Sequence, residues 1–379
     1  MTAERQGGVV VLAVDKFKGS LSADEVSAAL SRGLTAANPR LDVVSHPVSD
    51  GGEGIVPLLT RFGYQPRTVE VADPLGRQVP ARLAISGRSA VVELAEASGL
   101  WRLPEAERDP HITSTGGAGE LIRAALDAGA RTVLVAVGGS ATSDGGAGLL
   151  QALGARLSDA QGHPLPPGAA ALAQLHELDL NGLDPRLADT TITVACDVDN
   201  PLLGPDGAVR TFAEQKGAQP QDLDGLESAL QRWADVVEQH VGRTFRNLPG
   251  TGAAGGASFA LAAVLGGHLT SGIDLFLDVT GFRDVARRAQ LVVTGEGSLD
   301  LQSLRGKAPV GVARAAAEVG VPVIAVVGRS KVSAEQAQEA GITRVHTLLE
   351  RAGDPETSMR DAAQLLTEVG RDIATELLP

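Results

Sequence analysis

The sequence holds a single cysteine, Cys196, in 379 residues. One cysteine excludes a disulfide framework within the chain and any zinc site built from several thiolates, and it fits a reducing compartment. Long apolar runs are also missing. Val9 to Val14 is broken by Asp15 and Lys16, which is too short for the apolar region of a signal peptide. No stretch nears the roughly 20 apolar residues of a membrane span. The expectation is a cytoplasmic protein with no membrane partner. Positive charge is in deficit, with 33 Lys and Arg against 46 Asp and Glu and a net charge of −13. That balance disfavours a general nucleic-acid binder, but a phosphate site needs only a few local cations. The seven histidines show no paired metal-binding spacing.

Lysine is scarcer still. Lys16, Lys18, Lys216, Lys307 and Lys331 are the only five, and the other 28 basic residues are arginine. A lysine kept in such a chain marks a place for a compact, flexible ammonium that a planar guanidinium does not replace. Four of the five fall in segments rich in glycine and acidic residues.

What is present is an ordinary globular composition, 43% hydrophobic and 21% charged, with length enough for two domains. Apolar strand-length runs alternate with helical periodicity. Val9 to Val14 is a strand, and Ser22 and Glu25 form a capping box before a helix with Val26, Leu30 and Leu34 on one face. Further strands are expected at Leu41 to Val48, Thr132 to Val137, Thr190 to Ala195, Leu291 to Val293 and Val323 to Val327. Helices are expected at Gly116 to Ala128, Leu223 to Val241 and Ala253 to Leu265, with a last one from Asp354-Pro355 to about Leu377. This is an α/β chain with a mainly parallel, doubly wound sheet of Rossmann or flavodoxin-like type. Three strands between Thr68 and Leu94 break the alternation and predict a mixed sheet there. The expected organisation is a discontinuous first domain, 1–75 plus 290–379, with a second α/β domain, 76–289, inserted.

Chemistry concentrates where strands end. Ser49-Asp50-Gly51-Gly52-Glu53-Gly54 recurs as Ser143-Asp144-Gly145-Gly146-Ala147-Gly148, each copy after a strand and before a helix. Ligands bind at the carboxyl ends of parallel strands, and glycines and free helix N–H groups suit an anion there. Three further segments share this character: Asp15-Lys16-Phe17-Lys18-Gly19-Ser20, Gly138-Gly139-Ser140-Ala141-Thr142, and Thr294-Gly295-Glu296-Gly297-Ser298-Leu299-Asp300 leading to Gly306-Lys307. Lysines beside carboxylates at strand ends suit phosphoryl transfer, which is mostly positioning and charge neutralisation. Cys196-Asp197 and Asp199-Asn200-Pro201 end another strand. Two motif searches mislead. Gly306-Lys307 lacks the first glycine and the Ser/Thr of a Walker A loop. Gly250-Thr251-Gly252-Ala253-Ala254-Gly255 has the dinucleotide spacing but no strand before it, which leaves a nucleotide- or substrate-binding loop.

At these residues the sequence resembles the bacterial glycerate kinases of the type-1 family. The resemblance rests on Ala13–Ser20, Ser49–Gly54, Gly138–Gly146, Cys196–Pro201, Ala213–Gly217, Pro249–Gly256 and Thr294–Asp300 with Gly306-Lys307. It implies ATP-dependent phosphorylation of D-glycerate with Mg²⁺, favouring 2-phosphoglycerate over the 3-isomer, in a cleft between two α/β domains. On this reading Asp15, Lys16, Lys18, Asp197, Asp300 and Lys307 are the catalytic candidates. Asp50, Asp197 and Glu296 are the metal candidates. Substrate and ATP would meet Ser20, Ser49, Gly51, Gly52, Gly138, Gly139, Ser140, Thr142, Asp144, Gly145, Gly146, Asn200, Lys216, Gly252, Gly255 and Gly295. The base stays open among Asp197, Asp300 and Asp15, as does the choice between monomer and homodimer. Two other readings stay open: a kinase of another small hydroxy acid, and a non-catalytic binder of a small acid or nucleotide.

Overall fold

Six consecutive apolar residues, Val9–Val14, offer no polar face to solvent, and as strand β1 the last five are fully buried. The computed structural model describes residues 8–49, 54–301 and 303–377. It divides into two units, Met1–Asp50 with Ser271–Pro379, and Gly51–Thr270.

In the first unit β1 lies between β2 (Asp42–Ser45) and β11 (Ala289–Gly295), and β13 (Val323–Val327) and β15 (Arg344–Thr347) extend the sheet beyond β11. All these pairs are parallel. The order β15-β13-β11-β1-β2 is the doubly wound, flavodoxin-like arrangement, and it reverses direction between β1 and β11. The helix Ala23–Ala37 opens with the expected capping box: Glu25 N–H donates to Ser22 Oγ at 3.3 Å and Ser22 N–H to Glu25 Oε2 at 2.8 Å. It packs on the helix Ala362–Glu376 through Leu30, Leu34, Leu366 and Ile373. Glycines let the two backbones touch, for a Cβ on Gly33 would lie 2.0 Å from Thr367 O and one on Gly370 2.5 Å from Leu30 O.

The last helix is not continuous. It breaks at Asp361 (φ −101, ψ 16) into Pro355–Arg360 and Ala362–Glu376. Only Ser358 is buried in the first piece, so no apolar stripe holds it in line with the second.

In the second unit a six-stranded sheet runs β10 (His268–Thr270), β9 (Thr191–Ala195), β6 (Thr132–Ala136), β5 (Ser89–Glu93), β4 (Gln78–Ser86) and β3 (Gln65–Ala72). The first four are parallel and the last two antiparallel, so the mixed sheet lies where the alternation broke. The division between units falls near 50 and 271, where the sequence suggested 75 and 290. β3 pairs with β4 along its whole length, which carries residues 65–72 into the second sheet. At the other end, the helix Gly272–Val279 packs on the helix Ala308–Ala317 of the first unit, with Asp274 paired to Arg314 at 2.5 Å. Two small pairs complete the strands: β7 (Arg156–Ser158) with β8 (Glu177–Asp179), and β12 (Ser298–Leu299) with β14 (Arg329–Ser330). The helix Leu223–Val241 buries Leu226, Leu230, Trp233 and Val237 as its spacing requires. No helix among the described residues is long and apolar enough to cross a membrane.

Candidate active site

The first unit gathers acids and lysines at the point where its strand order reverses. β1 and β11 end level, Val14 opposite Gly295, and Asp15 N–H donates to Gly295 O at 2.9 Å. The loop after β1 is anchored by Phe17, which is 3% exposed, and this leaves Lys16 and Lys18 on the surface to either side. Ser20 Oγ donates to Met359 O at 3.0 Å. Val48 N–H donates to Val14 O at 3.1 Å, which brings the buried Ser49 up beside the same loop. Asp50, Gly51 and Gly52 lie outside the described residues.

After β11 comes Glu296. Its Oε1 is buried with no hydrogen-bond partner. Burial pushes its carboxyl up to about 7; a hydrogen bond from Ser303 and the charge of Lys307 oppose this, while Asp15 and Asp300 add to it. Asp300 and Ser303 bond reciprocally, Asp300 N–H to Ser303 Oγ at 3.1 Å and Ser303 N–H to Asp300 Oδ1 at 3.2 Å. Lys307 is the N-cap residue of the helix Ala308–Ala317. The structure thus brings Asp15, Glu296, Asp300 and Lys307 into one electrostatic neighbourhood. No three His, Cys, Asp or Glu side chains form a ready metal cage among the described residues. Mg²⁺ needs less, commonly one or two carboxylates with the rest from phosphate and water. A hard carboxylate with one oxygen unpartnered fits that requirement at Glu296.

His46 lies just past β2 and is buried. Thr280 Oγ1 donates its hydrogen to Phe276 O at 2.8 Å, so His46 Nε2, 3.0 Å from the same oxygen, is the donor between them. The ring packs edge-on to Phe282 with centroids 5.4 Å apart. Burial lowers its pKa to about 4.

In the second unit the chain leaves β6 with Gly138 and Gly139 exposed, and then dives, so that Ser140 to Leu150 are buried. Asp144 is wholly enclosed. It accepts from Thr115 N–H at 2.8 Å, Thr115 Oγ1 at 2.9 Å, Gly146 N–H at 3.1 Å and Gly148 N–H at 3.2 Å. Burial raises its pKa against these bonds. In this second copy of the repeat, the aspartate ties the loop and two helix starts together rather than facing solvent. Gly145 O accepts from Trp233 Nε1 at 2.9 Å. Lys216 is 2% exposed, and its Nζ donates to Ser140 Oγ at 2.9 Å and Thr142 O at 2.6 Å. Burial lowers its pKa to about 7, with Asp144 opposing.

The expected helix from Ala253 begins instead as a 3-10 turn, Ala253–Gly256, followed by Ala257–Ala263. Three successive residues are left-handed, Ala254 at φ 52, Gly255 at φ 64 and Gly256 at φ 90. A Cβ on Gly255 would lie 2.0 Å from Thr142 O, so this loop presses on the one after β6. Ala254 is the only non-glycine at positive φ among the described residues, a strain of the kind that surrounding structure must hold in place. Gly252 N–H donates to Asn200 O at 2.9 Å, and Asn200 Nδ2 donates to Asp206 O at 2.7 Å. Asp197 is exposed beyond β9. Cys196 is held above its ordinary pKa, at about 11, chiefly by burial, and its thiol donates to Val198 O at 3.2 Å, so it is no nucleophile.

Sequence reading missed Glu93 and Thr115. Glu93 ends β5 in a buried position and accepts from the N–H of Gly54, the last residue of the first copy of the repeat, at 2.7 Å. The available signal was an acid closing the apolar run Ala90-Val91-Val92. Thr115 precedes the helix Gly116–Asp127 and also accepts from Leu149 N–H at 2.9 Å, and nothing in its local sequence marks it.

A family model described as the glycerate kinase family matches residues 10–378. The glycerate kinase of Bacillus subtilis (strain 168) is 44% identical over 372 residues, 97% of each chain. Glycerate 2-kinase of Escherichia coli (strain K12) is 41% identical over 371 residues, again 97% of each. A crystal structure assigned as glycerate kinase 2 of Salmonella typhimurium LT2 superposes with a TM-score of 0.86 at 40% identity, covering 98% of both chains. The family model and these relatives match nearly the whole length of the chain, and they establish that it belongs to the glycerate kinase family and phosphorylates glycerate.

Proposed function

We propose that the phosphoryl donor is ATP, that Mg²⁺ assists, and that the product is 2-phosphoglycerate. The observation that carries the reading is the gathering of Asp15, Glu296, Asp300 and Lys307 at the strand-order reversal of the first unit. Mg²⁺ bound there would neutralise phosphate charge, with Glu296 holding it. Lys16, Lys18 and Lys307 are short-range cations for phosphate oxygens or the glycerate carboxylate. In the transfer a glycerate O–P bond forms as the bond from the terminal phosphorus to ADP breaks. The hydroxyl proton passes to a carboxylate, for which Asp300, Asp15 and Asp197 are the candidates.

In the second unit, the exposed residues Gly138 and Gly139 and the loop at 250–256 are the candidates for holding an anion. The choice of the 2-hydroxyl follows the relative named glycerate 2-kinase. A reaction that consumes ATP belongs in the cytoplasm. The test is incubation with ATP, Mg²⁺ and D-glycerate, with ³¹P NMR of the product. A 2-phosphoglycerate signal is expected. The 3-isomer alone would overturn the regiochemistry, and faster turnover of another hydroxy acid from a panel would overturn the substrate.

A further inference from the structure

A lysine that is 2% exposed is an expensive way to fill a core position. Removing an ammonium from water costs several kcal/mol unless its protons are matched, and methionine would fill the same volume without that cost. Lys216 is nonetheless one of only five lysines in the chain. Its head does not reach solvent. It ends on two atoms of one loop, Ser140 Oγ at 2.9 Å and Thr142 O at 2.6 Å.

That loop is held at three further points. Ala141 N–H donates to Ser98 O at 2.9 Å, Leu100 N–H donates to Gly139 O at 2.8 Å, and Thr113 Oγ1 donates to Ala141 O at 3.1 Å. The Thr113 and Ser98 contacts hold Ala141 alone. Lys216 is the residue that grips both sides of it, and the grip lies one residue from the exposed Gly139. The side chain comes from a short 3-10 turn, Glu214–Lys216, closed by Lys216 N–H to Ala213 O at 3.0 Å.

We propose that Lys216 is a positioning residue, whose buried ammonium clamps Ser140 and Thr142 and so fixes the exposed backbone of Gly138 and Gly139 in the geometry that the reaction uses. Its kinetic part rests on the reading that this loop contacts substrate or nucleotide; its structural part does not. The side chain acts through the loop, so its influence passes by way of Ser140. Removing either partner should therefore cost part of the same interaction.

The experiment is a double-mutant cycle of Lys216→Met and Ser140→Ala in the full chain. It is read by hydrogen exchange of peptides covering 138–146 and by steady-state kinetics well below the melting temperature. Exchange in that segment should speed up by about tenfold or more in Lys216→Met. kcat/KM should fall about tenfold in Lys216→Met and about threefold in Ser140→Ala, with the double variant no worse than Lys216→Met. Unchanged exchange in 138–146 overturns the clamp, whatever the substrate proves to be. Faster exchange with unchanged kinetics shows a merely structural lysine and overturns the positioning role. Additive kinetic losses would mean that Lys216 acts independently of Ser140, which also overturns it. If Lys216→Met does not fold, Ser140→Ala alone still decides, since the clamp requires both faster exchange and a lower kcat/KM from it. A wild-type chain that makes no phosphoglycerate refutes the functional reading instead, and the exchange result then stands by itself.

Discussion

Replacing His46 with asparagine should remove a defined part of the acid sensitivity of the first unit. The native imidazole is held neutral by burial to about pH 4, whereas an unfolded chain protonates it near 6.5. Between those values the unfolded state binds more protons, so stability falls as pH drops through that window and is fully present above it. A shift of this size corresponds to about 3 kcal/mol lost on reaching pH 4, a large share of a typical total of about 5–15 kcal/mol. Asparagine keeps an N–H donor for Thr280 Oγ1 but cannot titrate and loses the edge contact with Phe282. His46→Asn should thus be about 1–2 kcal/mol less stable than the parent at neutral pH. That difference should shrink and then reverse toward pH 4. The assay is urea unfolding followed by far-ultraviolet circular dichroism at several pH values. Tryptophan emission is the wrong signal, because Trp101 and Trp233 both lie in the second unit. A difference between the two proteins that stays constant from neutral pH to pH 4 would refute the neutral buried imidazole.

Three other outcomes are expected. Lys16→Ala should lower kcat/KM by about 10²-fold, as loss of one charge stabiliser does; changes below about threefold in both Lys16→Ala and Lys18→Ala would remove the two from the mechanism. Excess EDTA should abolish turnover and added Mg²⁺ restore it, with Glu296→Gln raising the Mg²⁺ concentration needed for half-maximal rate; full activity in EDTA would end the metal reading. Asp144→Ala strips an acceptor from the buried N–H groups of Thr115, Gly146 and Gly148. It should cost about 3 kcal/mol or more, a fall of roughly 10 °C in Tm by differential scanning calorimetry, and an unchanged Tm would deny the aspartate its structural role.

Much of this molecule could be read directly from residue order. Val9–Val14 admits no structure but a buried strand, and Ser22 with Glu25 announces its helix start through two hydrogen bonds that local spacing alone dictates. The acid- and glycine-rich segments mark strand ends because they follow the apolar runs directly. Harder features depend on partners distant in sequence. Nothing local distinguishes Asp144, enclosed among N–H donors, from an aspartate that faces solvent. Lysine's hydropathy assigns Lys216 to the surface, and only the matched acceptors Ser140 Oγ and Thr142 O make its burial tolerable. The break at Asp361 escaped because Asp354 and Pro355 are a sound helix start, and nothing in the sequence shows that this start belongs to a separate turn. The unit boundaries escaped for a related reason: β3 reads equally well as the end of one domain or the start of the next until its pairing with β4 is known.

The pairing of β1 with β11 has a consequence for synthesis. Thr294 Oγ1 donates to Ala13 O across 281 residues of chain. At ribosomal rates of about 5–20 residues per second, β1 waits roughly 15–60 s for its partner. During that interval the second unit, continuous from Gly51 to Thr270, is synthesised, while the six uncharged apolar residues of β1 have only the short β2 for company. The nascent chain therefore carries an open, aggregation-prone sheet edge for most of its translation. A stop codon placed after Thr270 would make that exposure permanent and leave the second unit whole.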